Sequence, residues 1–226
     1  CQNNLKQIGI AAQMFHDTNH RLPPGGVNRE GSMWSYYLMP FIEEDSVKAL
    51  TNIVRLDRGE GDGLYQWANP SPYTQDQLAS SAQYRNIIAC ETHVPLFQCP
   101  SGNLLQHQWD ASSDNWVVMN RVPCSYLGSA SGIAINQNQP GPGGAYPMQK
   151  LDGVFFGTDS PDDTVSFKHI SDGLSSTLLV AEAVHDTDRQ EEKGHSQEAL
   201  IGSRKDHWYF GSDSIDHNAG LDMSEG

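Results

Sequence analysis

A chain of 226 residues is long enough to bury one sizeable core, and a single domain, 1–226, with long loop insertions is its simplest organisation. Apolar residues make up only 37%, while 21 glycines and 12 prolines favour a loop-rich fold over a helical bundle. A formal net charge of −14 argues against nucleic acid or an anionic membrane surface as partner, and no run of about 18 apolar residues is there to cross a bilayer.

The first 24 residues organise the rest. Cys1, Leu5, Ile8, Ala12 and Phe15 recur at spacings of four, three, four and three. With about 3.6 residues per turn, they fall on one stripe of a helix. Asn3, Lys6, Gln13 and Asp17 lie off the stripe, and Pro23-Pro24-Gly25 stops the helix. Ile10 and Met14 point elsewhere, towards a neighbouring subunit or a covering loop. No capping residue precedes the periodic run, and the chain starts on Cys instead of Met. Residues 1–24 therefore read as the stump of a longer helix whose upstream part has been removed.

A polar turn, Gly25 to Gly31, leads to a second helix starting near Ser32. Trp34, Leu38, Phe41 and Ile42 share a face there, and Pro40 should bend or split it. The adjacent acids Glu43, Glu44 and Asp45 read as a solvated helix end, since helix neighbours do not face one substrate from opposite sides. Residues 57–76, rich in glycine, proline and acids, form a loop insertion that carries Tyr65, Trp67 and Tyr73. Gln77 to Ala89 has helical composition, and Val94 to Cys99 reads as a short strand ending at Pro100.

The second half reads mostly as strands: Trp116–Met119, Cys124–Leu127, Gly153–Phe156, Val165–Ile170, Thr177–Val184 and His207–Phe210. A second loop insertion spans 136–144, and Ser171-Asp172-Gly173 is a tight turn in which glycine supplies a positive φ. Helices first and antiparallel strands later point to α+β. The expected core includes Phe15, Trp34, Leu38, Phe97, Tyr126, Phe155 and Leu179.

The cysteines stand at 1, 90, 99 and 124, with no CxxC pair and no finger spacing for structural zinc. An even count suits an oxidising compartment, and three pairings are open, beside four buried free thiols. No GxSxG elbow, HExxH, P-loop or GxGxxG is present. His16 and His20 have the i, i+4 spacing of a metal pair but sit at a fraying helix end, without the glutamate of a zinc protease, and read as a surface pair. Asp172, Ser175 and Glu182 lack any fixed triad geometry. The chain reads as a non-enzyme, with no catalytic residues. Calcium is the candidate cation: Asp110 and Asp114 in one loop, and Asp159, Asp162 and Asp163 in another, make oxygen-rich clusters, though neither has the EF-hand order.

Several motifs share one source. Cys1-Gln2-Asn3-Asn4-Leu5-Lys6-Gln7-Ile8-Gly9, Phe15-His16-Asp17 and Leu22-Pro23-Pro24-Gly25 resemble the segment after the leader helix in a large family of pilin-like secreted proteins, best known from planctomycete bacteria and mostly without assigned function. Trp34 with Leu38-Met39-Pro40-Phe41, Phe97-Gln98-Cys99-Pro100-Ser101, Ser125-Tyr126-Leu127-Gly128, Gly153-Val154-Phe155-Phe156 and Ile170 to Thr177 with Glu182 continue the resemblance, and Lys205 to Glu225 extends it to the C-terminal region.

The resemblance implies a prepilin-type cleavage and methylation signal upstream, and a pilin-like fold with the first helix across one face of an antiparallel sheet. It implies a Cys1–Cys99 disulfide, which leaves Cys90–Cys124. Cys1 on the apolar stripe, facing the body, is compatible with that pairing. It adds weight to a loop-bound calcium, as in some pseudopilins. The expected function is a non-enzymatic subunit, extracellular, at the cell surface or periplasmic, that assembles with other pilin-like subunits through the upstream helix; this chain alone would be monomeric. The family is also loosely tied to solute binding, and the rival reading is a carbohydrate- or solute-binding module in which Trp67, Tyr73 and Trp109 stack on a polysaccharide.

Overall fold

The computed structural model describes residues 1–27, 32–51, 69, 71–80, 84–102, 104–111, 117–129, 153–155, 157–158, 162 and 164–182. The leading apolar stripe becomes helix α1, Gln2–Asn19. Ile8, Ala12 and Phe15 are buried, and Ala11 joins them because a core-facing stripe is wider than one row of side chains. Cys1 and Leu5 are partly buried against the core. Ile10 and Met14, 46% and 47% exposed, face solvent as their off-stripe positions predict. The helix closes at His20, whose left-handed backbone (φ 59°) lets its N–H donate to the His16 carbonyl.

Strand β1 (Gly26–Val27) leads into helix α2 (Trp34–Leu38), and Pro40 converts the continuation into a 3-10 turn, Met39–Phe41. Helix α3 (Asp45–Lys48) begins in the acidic run, where Glu43 and Asp45 are exposed. The helix expected over Gln77–Ala89 is two helices, α4 (Gln75–Ser80) and α5 (Arg85–Glu91). Tyr84 at the start of α5 packs its ring 5.7 Å from Tyr73.

Three expected strands are corrected. Val94 to Cys99 is a 3-10 turn, Pro95–Phe97, because Pro95 has no N–H for a ladder and its fixed φ suits the first position of a helical turn. Val165 to Ile170 holds another, Phe167–His169, closed by Ser166 and His169 in a reciprocal capping box. Residues 153–155 form bends, with the Phe155 N–H donating to the Ser129 carbonyl. The observed strands are β2 (Gln108–Ala111), β3 (Val117–Arg121), β4 (Tyr126–Gly128), β5 (Gly157–Thr158) and β6 (Val180–Glu182).

Among the described residues these strands pair two by two instead of forming one broad sheet: β1 with β5 in parallel, β2 with β3 and β4 with β6 antiparallel. The architecture is thus mixed helix and strand, with α1 packed against α2, the turns Met39–Phe41 and Pro95–Phe97, and β6. Gly173 has the positive φ, 88°, that its turn requires. Gly128 is forced by packing: a Cβ there would lie 2.7 Å from Phe155 Cδ2. Phe15, Trp34, Leu38, Phe97, Tyr126 and Phe155 are core residues as expected, but Leu179 is only partly buried. No helix of the described residues is long and apolar enough to cross a membrane. The expected strand His207–Phe210 and loop 136–144 lie outside the described residues, as do 57–68 of the first insertion.

Candidate functional site

Two clusters of chemistry-bearing residues lie at the ends of α1, where later parts of the chain grip it. At the first end Cys1 forms a disulfide with Cys99 across a sequence separation of 98. The turn Pro95–Phe97 places Cys99 there. The Asn4 amide donates to the Gln98 carbonyl at 3.0 Å, one helical turn from Cys1. The Cys99 N–H donates to Ser125 Oγ at 2.9 Å, and the Ser125 N–H to the Phe97 carbonyl at 2.9 Å. The Gln98 amide donates to the Pro123 carbonyl at 3.1 Å. Backbone groups around the disulfide are thereby satisfied without a regular strand, which a buried turn requires.

Strands β4 and β6 complete this end, with Tyr126 opposite Glu182. The Tyr126 ring is buried, and burial first, then the Glu182 carboxylate and Cys124, push its phenol pKa up, with the Asn4 amide opposing. The Glu182 carboxylate and the two sulfurs of Cys1 and Cys99 lie within 4.8 Å of one another. This is the one group of three metal-ligating side chains among the described residues, and its sulfurs are spent in the disulfide.

At the other end His16 and Arg21 are held by Asp162 and residues 164–167. The His16 ring stacks on Phe167 at 3.8 Å and 14°. Its Nε2 accepts from the Phe167 N–H at 3.2 Å, which requires that nitrogen to be unprotonated. Arg21 pairs with Asp162 at 2.6 Å, and the Leu22 N–H donates to the Val165 carbonyl at 2.7 Å. His16 is therefore a packing residue and His20 an exposed helix terminus. Asp162, expected as a calcium ligand, is engaged by Arg21. Asp110 takes a strand position opposite Val118, while Asp114, Asp159 and Asp163 lie outside the described residues.

A family described as a protein of unknown function (DUF1559) matches residues 1–224. The chain belongs to that family. No curated protein and no solved structure matches it. The family assigns no chemistry, so the site rests on its geometry.

The second disulfide expected, Cys90–Cys124, is not formed: both are buried thiols. The chain brings the two segments side by side, with the Val122 N–H donating to the Cys90 carbonyl at 3.0 Å, but the Cys124 thiol turns back to donate to the Tyr126 carbonyl at 3.1 Å. Burial pushes that thiol up to about 12, so it stays protonated and inert.

The two described aromatics expected to stack on a ligand differ in exposure. Trp109 is 54% exposed, Tyr73 is only 5% exposed, and Trp67 lies outside the described residues. Tyr73 is instead a clasp that spacing did not signal. Its hydroxyl donates to Glu91 Oε1 at 2.6 Å and accepts from the Met119 N–H at 2.7 Å; the same carboxylate oxygen accepts from the Asn120 N–H at 3.0 Å. Burial, then the Glu91 hydrogen bond, push its phenol well above the usual range. Tyr73→Phe keeps the ring but strands the Met119 N–H. It is expected to cost about 1.5–3 kcal/mol in urea unfolding. A cost under about 0.5 kcal/mol would show that water replaces the hydroxyl.

Proposed function

We propose that this chain is the extracellular headpiece of a pilin-like subunit and works by assembly and display, not by catalysis. The observation that carries this reading is the two faces of α1. Its inner face is buried and both its ends are fastened, the first by a disulfide, yet Ile10 and Met14 lie one turn apart on the outer face and stay exposed. A helix so fastened suits a rod that carries load between a headpiece and its neighbours. The disulfide is consistent with an oxidising, extracellular setting. In this reading a polymer forms through an apolar helix upstream of Cys1, and the outer face of α1 adds contacts to neighbouring subunits. The chain itself, with a net charge of −14 and an amphipathic helix, is a monomer or weak dimer at low salt.

Sugar stacking is the second reading, favoured by the exposed ring of Trp109. It has less support, because Tyr73 is buried and hydrogen-bonded. The test combines Ile10→Asp and Met14→Asp in the complete gene product, expressed in a host with pilus machinery. Wild type is expected to form filaments. The double variant is expected to lose them while the isolated chain keeps its melting temperature and its monomeric light scattering. Filaments unaffected by both changes would remove α1 from the contacts, and no filaments from wild type would remove the assembly reading.

A further inference from the structure

Glu182 is an exposed carboxylate at the end of β6, and among the described residues no cation pairs with it within 4.0 Å. It nevertheless lies within 4.8 Å of both sulfurs of the Cys1–Cys99 bond. The two sulfurs are not equivalent. Cys1 is partly exposed, whereas Cys99 is 6% exposed and backed by Ser125, so Cys1 Sγ is taken as the sulfur under attack.

We propose that Glu182 guards this disulfide against thiol exchange. The attacking species is a thiolate, for example that of a glutathione-like thiol. Its sulfur bonds to Cys1 Sγ, the S–S bond breaks, and the electron pair departs on Cys99 Sγ, which then takes a proton from water. A second thiolate attacks the reagent sulfur of the mixed disulfide, releases Cys1 as a thiolate and yields the oxidised reagent. Negative charge is thus carried into the site by the nucleophile and left on a buried sulfur by the leaving group. The Glu182 charge opposes both, and burial of Cys99 makes its thiolate a poorer leaving group. The bond that ties α1 to the body is protected on the side where Glu182 lies. This inference does not depend on whether the chain assembles.

The experiment follows reduction of the intact chain at low salt, read by alkylation of the released Cys1 and Cys99 and mass spectrometry, in wild type, Glu182→Gln and Glu182→Asp. With anionic glutathione, Glu182→Gln is expected to be reduced about five-fold faster, the size of one unit-charge interaction at this range in water. Glu182→Asp, which keeps the charge, is expected to stay near wild type. With cysteamine, whose ammonium offsets its thiolate, the difference is expected to shrink, as it is in about 1 M salt. Equal rates for wild type and Glu182→Gln with glutathione would overturn the proposal. So would an acceleration independent of thiol charge and of salt, which would mean that the substitution merely loosens β6.

Discussion

Replacing Cys99 with serine is expected to lower stability by about 4–5 kcal/mol, the chain-entropy value for a loop of this length. The bond joins residues separated by 98 positions, so the unfolded chain loses a large ring closure when it is cut. Cys1→Ser removes the same bond from the partly exposed side and is expected to match within about 1 kcal/mol. Agreement between the two would separate the lost cross-link from local disturbance at the buried Cys99. Urea unfolding, with the slope fitted separately for each protein because the uncross-linked chain unfolds to a larger state, is the measurement. The first contacts to loosen are expected at the start of α1, where Asn4 to Gln98 is the neighbouring tie. A loss below 1 kcal/mol from either substitution would show that the bond does not hold α1 to the body.

Trp34→Ala is expected to cost about 3–5 kcal/mol, the range for removing a buried large aromatic. Trp34 is 2% exposed and stands at the centre of the core. Its ring stacks on Phe155 with centroids 5.7 Å apart and planes 9° apart, and meets Phe97 edge-on at 5.6 Å. It thus joins three distant stretches: α2, the turn before Cys99, and the segment beside β5. Phe15→Ala falls in the same size class, since Phe15 packs edge-on against Phe41 and Tyr37. Near-UV circular dichroism should lose intensity with Trp34→Ala while the helical far-UV signal remains. A cost below about 1 kcal/mol would mean that the Trp34 pocket collapses freely, against the burial on which the fold is argued.

These two results fall on features of different legibility. The stripe that became α1, the split of the second helix at Pro40, the turn at Gly173 and the burial of Phe15, Trp34 and Phe97 were readable in the sequence. Each depends on local periodicity or on the fixed backbone preference of proline or glycine, which a short window contains. Cys1 could be placed on the body-facing stripe in the same way, while its partner came from the family resemblance.

Tertiary structure decided what depends on partners far along the chain. Val94 to Cys99 and Val165 to Ile170 carry the β-branched and aromatic residues of strands, yet Pro95 and the Ser166–His169 capping box close them locally as 3-10 turns, and only the packed chain shows which preference wins. The ring of His16 finds Ser166 across 150 positions, so it is half-buried where a surface position was expected. Tyr73 sits in a loop-like stretch, and only Glu91 and Met119 turn it into a buried clasp. Glu182 acquires its meaning only when β6 pairs with β4 and brings a carboxylate beside the disulfide. A sequence window records how a segment prefers to fold; charge, burial and bonding at a site are sums over neighbours, and those neighbours exist only once the chain has packed.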